Sequence, residues 1–308
     1  MKNLFKEIIE EICKEEKIKY KYLSKNWVLM LEKDEKTRFI SGYKFDLNPH
    51  GIGTIVDDKY AFYEVLKNKN IPIIEHKIVY DKTNDFHYAI GCNTYEYVKN
   101  FFIQNDNHIV IKPNEGTCGN NVFNVTNIDE IDPILDKLFS TNYSISICPF
   151  YKIKNEYRVI ILDGEKKLLY KKFLPIVTGN GKETIRELLL KFNYNYFFNK
   201  LNDSKYDRIL ANKEKFEYNW KFNLSQGSIA RKLEDNILAK DLTKLAKQVC
   251  NETNLRFGSI DIIETNNNEL LILEANSGVM LENYIKQNPN DFFIAKLIYK
   301  EAIKKLFD

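Results

Sequence analysis

Two carboxylates and an amide stand out because oxygen ligands of this kind bind Mg²⁺. Asp261 lies inside the apolar run of residues 258–263, and Glu274 and Asn276 end the next apolar run. Residues two apart on a strand share a face, and antiparallel pairing of the two runs can bring Asp261 opposite the other two. Carboxylates, a side-chain carbonyl, waters and substrate phosphates suit Mg²⁺. The alternation alone favours a more ordinary interpretation, in which Asp261 faces solvent.

A glycine-bearing loop is the second candidate for chemistry. Lys112 ends a short apolar run, and residues 114–121 follow with glycines at 116 and 119. Glycines let backbone N–H groups approach phosphate oxygens, and a lysine supplies a point charge. The loop lacks the P-loop spacing GxxxxGK[ST] and the dinucleotide spacing GxGxxG, and a lone glycine loop is more often a turn. Together, however, a phosphate cradle and a Mg²⁺ triad are complementary halves of a nucleoside triphosphate site.

Length and composition bound the class of protein. The chain has 308 residues, 44% of them hydrophobic, with a mean hydropathy of −0.42. At roughly 150 residues per domain this allows two domains or one divided core. Without an apolar stretch of ~18 residues or a secretory signal, we expect a cytoplasmic protein with no membrane partner. Interleaved charges, 46 basic against 43 acidic, argue against nucleic acid.

Cysteines and histidines add no site of their own. The five cysteines are widely spaced without a CxxC pair, which favours reduced thiols over disulfides or zinc. The four histidines lack metal-ligand spacing, so we interpret them as ordinary surface or core residues.

Apolar periodicity then predicts the elements that must position the candidate residues. Helices are predicted near residues 4–13, 59–69, 128–138, 184–190 and 242–250, and strands near 27–31, 39–43, 109–111, 122–125, 145–147, 157–162, 168–170, 258–263 and 270–274. Residues 48–51 read as a turn, and Thr184 with Glu187 forms a capping box. Residues 193–223 show no period and receive no assignment.

Taken in chain order, these residues resemble the ATP-grasp ligases. The matching segments are Asp58-Lys59 before a helix that ends at Ile71-Pro72, residues 110–117, residues 156–159, residues 223–227, and Asp261 with residues 274–277. The stretch from Glu156 through residues 181–185 to Asn223 looks most like the ATP-grasp part of cyanophycin synthetase and of the fused glutamate-cysteine ligase/glutathione synthetase. The resemblance covers about residues 55 to 285.

The resemblance implies an architecture. It predicts an α/β (α+β) chain with the ATP-grasp fold. An N-terminal α/β domain would span residues 1–57, a small lid subdomain residues 58–147, and a C-terminal β-rich catalytic subdomain residues 148–308. ATP would lie between the lid and the catalytic subdomain.

The resemblance also implies nucleotide contacts. These are Lys59, Lys112, Glu115, Gly116, Thr117, Gly119, Cys148, Phe150 and Glu156. Lys59 and Lys112 would contact phosphates, and Glu156 the ribose hydroxyls. Relatives often carry carboxylates in the hinge, where this chain has residues 148–151, so adenine would be read by backbone groups and an aromatic wall.

Catalytic and metal roles follow in the same way. Asp261, Glu274 and Asn276 would hold two Mg²⁺ ions, with Mn²⁺ as a substitute. Arg158 would face the transferred phosphoryl group. Arg231, together with residues 193–223, would shape the acceptor pocket, and Lys172 stands where the cyanophycin group has Arg. Cys118 lies in the glycine loop without a neighbouring base, so we predict that it is no nucleophile.

The implied reaction joins a carboxylate to an amine. ATP would convert the carboxylate to an acyl phosphate, and the amine would displace phosphate to give an amide. Two alternatives stay open, namely an ATP-grasp kinase that phosphorylates a small molecule and a non-catalytic nucleotide-binding regulator. The expected partners are small-molecule or peptide carboxylates and amines, with a homodimer as one option for assembly. No second ligase domain is expected.

Overall fold

The computed structural model describes residues 4–81, 95–116, 119–198, 201 and 203–308. Thr117 and Cys118 of the glycine loop lie outside these ranges, as do His87 and Cys92. The chain divides into two compact units, unit 1 (Met1–Lys171 with Lys232–Asp308) and unit 2 (Lys172–Arg231). The predicted subdomain boundaries after residues 57 and 147 fall inside unit 1 and stay a prediction.

Helices and strands alternate along the chain. The helices are α1 (Leu4–Glu15), α2 (His50–Asp57), α3 (Lys59–Asn68), α4 (Tyr95–Gln104), α5 (Ile131–Phe139), α6 (Ile185–Phe197), α7 (Ile237–Thr253), α8 (Glu282–Gln287) and α9 (Phe292–Phe307). The strands are β1 (Lys19–Leu23), β2 (Val28–Lys33), β3 (Lys36–Ser41), β4 (Lys44–Phe45), β5 (Lys77–Tyr80), β6 (Ile109–Pro113), β7 (Phe123–Val125), β8 (Ser144–Pro149), β9 (Ile153–Leu162), β10 (Glu165–Phe173), β11 (Ile176–Thr178), β12 (Lys215–Glu217), β13 (Ile229–Lys232), β14 (Phe257–Thr265) and β15 (Leu270–Asn276).

The N-terminal part of unit 1 is an antiparallel sheet with a helix pair. The sheet has the order β1-β2-β3-β4. Helix α1 contacts α9 and buries its apolar stripe, including Phe5, Ile8 and Ile12. Lysines of α9 hold the charged side of α1, as in the 2.7 Å contact between Lys296 Nζ and Glu15 Oε1. The amphipathic helix predicted near residues 4–13 is confirmed.

The second sheet of unit 1 has two chemically different faces. Its strand order is β5-β8-β6-β7, all antiparallel. One face packs against α4 and α5 through a buried apolar cluster that includes Ile109, Ile111, Ile145, Ile147, Phe101 and Leu135. Because side chains alternate along a strand, Val110 and Lys112 of β6 lie on the opposite face with Ser146 and Cys148 of β8.

The third sheet forms the central core of unit 1. Its strand order is β13-β10-β9-β14-β15, and β14 is antiparallel to both β9 and β15. Alternate residues such as Val159, Ile161, Ile260 and Ile262 join helix α7 in one buried apolar cluster, here called the α7 cluster. Their intervening neighbours, including Arg158 and Asp261, lie on the opposite face.

Unit 2 contains α6 and the short antiparallel pair of β11 and β12. The predicted capping box is confirmed, because the Thr184 backbone N–H donates to Glu187 Oε2 (2.8 Å) and the Glu187 N–H donates to Thr184 Oγ1 (3.2 Å). Its core buries Ile185, Leu189 and Leu210.

Several elements received no prediction from the sequence, namely helices α2, α4, α8 and α9 and strands β1, β4, β5, β11, β12 and β13. Residues 48–51, predicted as a turn, lead into helix α2 from His50, with Pro49 at the N-cap. Strand β1 was not predicted, because its alternating lysines and tyrosines lack an apolar run. None of the helices in the described ranges combines the length and the apolarity that crossing a membrane requires.

Candidate functional site

Three charged side chains lie abreast on neighbouring strands of unit 1. Asp261 on β14 is the register partner of Arg158 on β9 and of Glu274 on β15. Directly opposite residues share a face of the sheet, so the three side chains project together. Asn276, two residues after Glu274, lies on the same face. The pairing predicted from the sequence is therefore present, while the metal-binding role of these residues stays a prediction.

Arg158 binds the carboxylate of Asp261 with two hydrogen bonds. Its Nε donates to Oδ1 at 2.7 Å and its Nη2 to Oδ2 at 2.5 Å. The Asp261 side chain is 2% exposed and that of Arg158 21%, so the solvent-facing interpretation of Asp261 is wrong. Burial by itself would lower the pKa of Arg158, but the Asp261 carboxylate outweighs it and holds that pKa well above its usual value.

A β-bulge adjoins this row. The register of β14 on β15 passes from Asp261 opposite Glu274 to Ile262 opposite Ile272, so Leu273 is an extra residue. Bulges bend a strand and redirect its side chains, and they are frequent beside active sites. Leu273 packs against the apolar cluster described below. The bulge thus brings the carboxylate row next to an apolar wall, which the sequence pattern did not reveal.

Two buried lysines lie near the row. Lys59 and Lys112 are 9% and 7% exposed. Burial lowers the pKa of Lys59, Lys112 lowers it further, and Glu274 opposes both, so the three charges interact. Lys59 Nζ donates to the carbonyls of Asn114 and Gly116, both at 3.1 Å.

His76 is buried within electrostatic reach of the two lysines. Its Nδ1 is 2.7 Å from Ser146 Oγ, and Ser146 is the register partner of Lys112. Burial, Lys112 and Lys59 hold the pKa of His76 well below its usual value of 6.5. His76 is therefore an uncharged core histidine, in keeping with the ordinary role predicted for it.

An apolar wall adjoins the lysines. Val110, Cys148 and Ile263 form a buried cluster with Ile74, and Phe150 packs against it. The Phe150 ring stacks on His108 with centroids 3.8 Å apart and 7° between the planes. Burial raises the pKa of Cys148, so its thiol is protonated and contributes apolar surface. Cys148 and Phe150 of residues 148–151 thus supply part of an apolar surface.

Of the remaining predicted nucleotide contacts, Glu156 pairs with this wall, whereas Glu115 pairs with the start of α3. Glu156 is 5% exposed, shares a face with Arg158 two residues away, and is the register partner of Ile263. Glu115 forms an isolated β-bridge with Asp58, and both Glu115 and Gly116 are exposed. Gly119 has a φ of +63°, a left-handed conformation that favours glycine.

Two predicted residues belong to unit 2. The exposed Arg231 donates from Nη1 to the carbonyl of Ala230 at 3.2 Å, and Lys172 is 4% exposed. In the loop of residues 225–228, Gly227 has a φ of +103°, and a Cβ there would lie 1.8 Å from the Tyr218 hydroxyl. This loop therefore requires glycine for both its conformation and its packing. The predicted acceptor role of Arg231 stays a prediction.

The donor set of the carboxylate row suits a hard cation. Asp261 and Glu274 supply carboxylate oxygens and Asn276 an amide oxygen, the ligand types that Mg²⁺ accepts. Within the described part of the chain, no group of three or more His, Cys, Asp or Glu residues could hold a metal ion, and the row itself offers two carboxylates and an amide.

Solved structures resemble the chain. A bifunctional glutathione synthetase from Pasteurella multocida aligns over 94% of this chain and 42% of its own, at 16% identity and a TM-score of 0.55. A D-alanine–D-alanine ligase from Bacillus anthracis aligns over 84% of this chain and 70% of its own, at 15% identity and a TM-score of 0.56. Its complex with ATP aligns over 84% and 69%, at 13% identity and a TM-score of 0.52.

These likenesses define the fold as that of the ATP-grasp ligases, as the motifs imply. The chain spans less than half the length of the glutathione synthetase. No family model matches the sequence, and no curated protein sequence matches it.

Proposed function

We propose that this protein is an ATP-dependent, ADP-forming carboxylate–amine ligase. The observation that carries the proposal is the row of Arg158, Asp261 and Glu274 on three adjacent strands, with the buried Lys59 in electrostatic reach of both Glu274 and Lys112. Cations for phosphates and oxygen ligands for a metal ion in one buried site are the components of phosphoryl transfer.

The apolar wall supports a position for the nucleotide base. Adenine would pack against Val110, Cys148 and Ile263, which are buried beside Phe150. Glu156 would accept from the ribose hydroxyls, since its strand partner is Ile263 of the same wall. Lys112, two residues from Val110 on the same face of β6, would then meet the phosphates.

Asp261, Glu274 and Asn276 would hold Mg²⁺, and two ions suit a site for a triphosphate. When bound, the ions would neutralise phosphate charge and orient the terminal phosphate. Arg158 is already fixed by the Asp261 carboxylate, so its remaining N–H groups are preorganised toward the charge that develops on the transferred group.

The proposed reaction has two steps. An oxygen of the substrate carboxylate attacks the γ-phosphorus of ATP, the bond to the bridging oxygen breaks, and ADP leaves. The amine nitrogen then attacks the acyl carbon of the acyl phosphate, inorganic phosphate leaves, and the nitrogen loses a proton. Lysines and Arg158 offset charge in the first step, and exclusion of water protects the acyl phosphate from hydrolysis.

The names of the structural neighbours support a ligase, since two of them are a glutathione synthetase and a D-alanine–D-alanine ligase, the latter also as an ATP complex. Arg231 and residues 193–223 would supply acceptor contacts, because loops on a rigid scaffold commonly set specificity.

A coupled assay tests the proposal. Pairs of amino acids and short peptides are screened for ADP release with Mg²⁺ and ATP, and hydroxylamine is added to trap the acyl phosphate as a hydroxamate. A ligase releases ADP only with a carboxylate substrate and yields hydroxamate. If ADP is released, an alcohol substrate becomes phosphorylated and no hydroxamate forms, the protein is a kinase instead. Tight ATP binding without ADP release under any pair would favour a regulator.

A further inference from the structure

Asn114 directly follows strand β6 (Ile109–Pro113). Its backbone N–H donates to the Ser144 carbonyl at 3.3 Å, which continues the β6–β8 ladder by one residue beyond Pro113 and Ile145. Alternation therefore places Asn114 on the same face as Val110 and Lys112. Its residue is fully buried, at 0% exposure.

One end of the Asn114 amide caps a distant helix. The backbone N–H of Tyr60, in the first turn of α3, donates to Asn114 Oδ1 at 3.1 Å. The backbone N–H of Lys59 donates to the Asn114 carbonyl at 3.3 Å. First-turn N–H groups have no partner within their own helix, so Asn114 satisfies two of them from another part of the chain.

The other end of the same amide has no acceptor. Within the described ranges, Asn114 Nδ2 is buried without a hydrogen-bond partner. Exchanging the amide nitrogen and oxygen does not remove the problem, because the Tyr60 N–H would then face a second donor. A buried donor without an acceptor destabilises a protein, so a ligand that supplies the acceptor would stabilise this position.

We propose that Asn114 Nδ2 donates a hydrogen bond to a phosphate oxygen of the bound nucleotide. The inference rests on the proposed function, because it assigns the ligand to the same site. Along one face of β6 the order is apolar Val110, cationic Lys112 and amide donor Asn114, over about 13 Å for four residues of strand. This order corresponds to the base, the first phosphates and the distal phosphates of a nucleoside triphosphate.

The chemistry of Nδ2 restricts the ligand. An amide N–H is only a donor, so it cannot bind a metal ion. Hydrogen bonds to anionic oxygens are stronger than those to neutral ones, and Lys59, whose Nζ lies 3.1 Å from the Asn114 carbonyl, adds positive charge at the same position. A phosphate oxygen is therefore a better acceptor here than a base or ribose atom.

Asn114→Asp is the decisive variant. The carboxylate keeps an acceptor for the Tyr60 N–H but replaces the donor by an anionic oxygen. ATP affinity should fall about 10- to 100-fold, whereas adenosine affinity, measured by competition, should not change. Asn236→Asp is the matched control, because the exposed Asn236 caps α7 through the Ala239 N–H and undergoes the same chemical change. It should bind ATP like the wild type.

The possible outcomes are distinct. Equal ATP affinity in folded Asn114→Asp and wild type overturns the inference, and so does an equal loss of ATP and adenosine affinity. Failure of the wild type to bind ATP would instead overturn the proposed function. If Asn114→Asp does not fold, Asn114→Ala provides the same comparison without a new charge. It should lose ATP affinity selectively, and unchanged ATP affinity there would reject the contact.

Discussion

Glu264 and Glu274 lie on adjacent strands of one hairpin, yet their surroundings differ. Glu264 receives hydrogen bonds from Lys154 Nζ at 2.8 Å, Asn155 Nδ2 at 2.7 Å and Tyr157 Oη at 2.9 Å. Glu274 faces Asp261 across the strands, and within the described ranges no side chain makes a hydrogen bond or ion pair with it. One carboxylate is thus saturated by the chain, whereas the other retains its capacity for ligands.

The difference separates a structural acid from a candidate functional one. The Glu264 network fixes the end of the hairpin and leaves little reason for an external ligand. In the row, the carboxylates of Glu274 and Asp261 lie at directly opposite strand positions. Like charges at such positions repel each other. Such an arrangement is stabilised when a cation binds. Saturation of hydrogen bonds, rather than burial alone, distinguishes the two acids.

The largest effect should come from Glu274→Gln. The amide has nearly the same volume but lacks the charge that would hold Mg²⁺, so ADP release should fall roughly 1,000-fold or more. The free energy of unfolding without ligands should change by about 0.5 kcal/mol or less. Stabilisation by Mg²⁺ and ATP, roughly 2.7 kcal/mol at 100 times Kd, should largely disappear in thermal melts.

The control for this variant is Glu269→Gln, at an exposed position in the turn of the same hairpin. It should keep both turnover and the Mg²⁺-dependent thermal shift. Full activity in Glu274→Gln would show that the two glutamates are alike and would remove the basis of the comparison.

Arg158→Met tests whether the row also contributes to stability. Removing the guanidinium leaves Asp261, whose side chain is 2% exposed, buried without its bidentate partner. The free energy of unfolding should fall by about 3 kcal/mol, as measured by urea denaturation. Lys154→Met should lower it less, because Glu264 retains Asn155 and Tyr157. Equal losses in the two variants would contradict the distinction.

A smaller effect is expected from Glu264→Gln. The amide still accepts hydrogen bonds but loses their charge-assisted strength, so stability should fall by about 1.5 kcal/mol. ADP release per folded molecule should equal that of the wild type, since Glu264 lies outside the row. A turnover defect at a temperature where the variant is fully folded would assign Glu264 a role in the reaction.

The smallest effect concerns acid pH. Burial by itself would raise the pKa of Glu264, but hydrogen bonds from Lys154, Asn155 and Tyr157 outweigh it and lower that pKa below its usual 4.5. A lowered folded-state pKa stabilises the fold above pH 4.5 and loses this contribution as the pH falls through the lowered value. The difference in the free energy of unfolding between wild type and Glu264→Gln should therefore become smaller as the pH falls below 4.5. A constant difference in urea titrations would contradict the assignment.

Strand and helix patterns predicted the part of the site that depends on regular structure. Asp261 and Glu274 could be placed on neighbouring strands because two apolar runs joined by a turn indicate an antiparallel hairpin. Their direct pairing depends on the bulge, because the unshifted pairs Ile263–Leu271 and Ile262–Ile272 would continue to Asp261 opposite Leu273. The bulge at Leu273 was not predictable, because an apolar residue in an apolar run carries no sign of an extra position. The role of Arg158 in fixing Asp261 likewise required the register of a third strand.

Contacts between distant segments were missed for a related reason. Asn114 reads as an ordinary loop residue, and only the fold shows that it caps helix α3, 54 positions away in sequence. The start of helix α2 was predicted as a turn because Pro49, Gly51 and Gly53 favour turns locally. In the fold, Ile52 and Ile55 of this helix pack against the α7 cluster. Tertiary burial there outweighs the local preference.

The discontinuity of unit 1 has a consequence for biosynthesis. Strand β9 can pair with β14 only after about a hundred further residues are made, since Arg158 and Asp261 are 103 positions apart. Helix α1 can pack on α9 only near the end of synthesis, since Glu15 and Lys296 are 281 positions apart. Unit 2 is contiguous and can fold as it leaves the ribosome. Unit 1 has to retain unpaired strand edges until translation reaches Phe257–Thr265, and such exposed edges favour association with other nascent chains. Because unit 1 is completed late in translation, we expect recombinant yield to depend on temperature and translation rate.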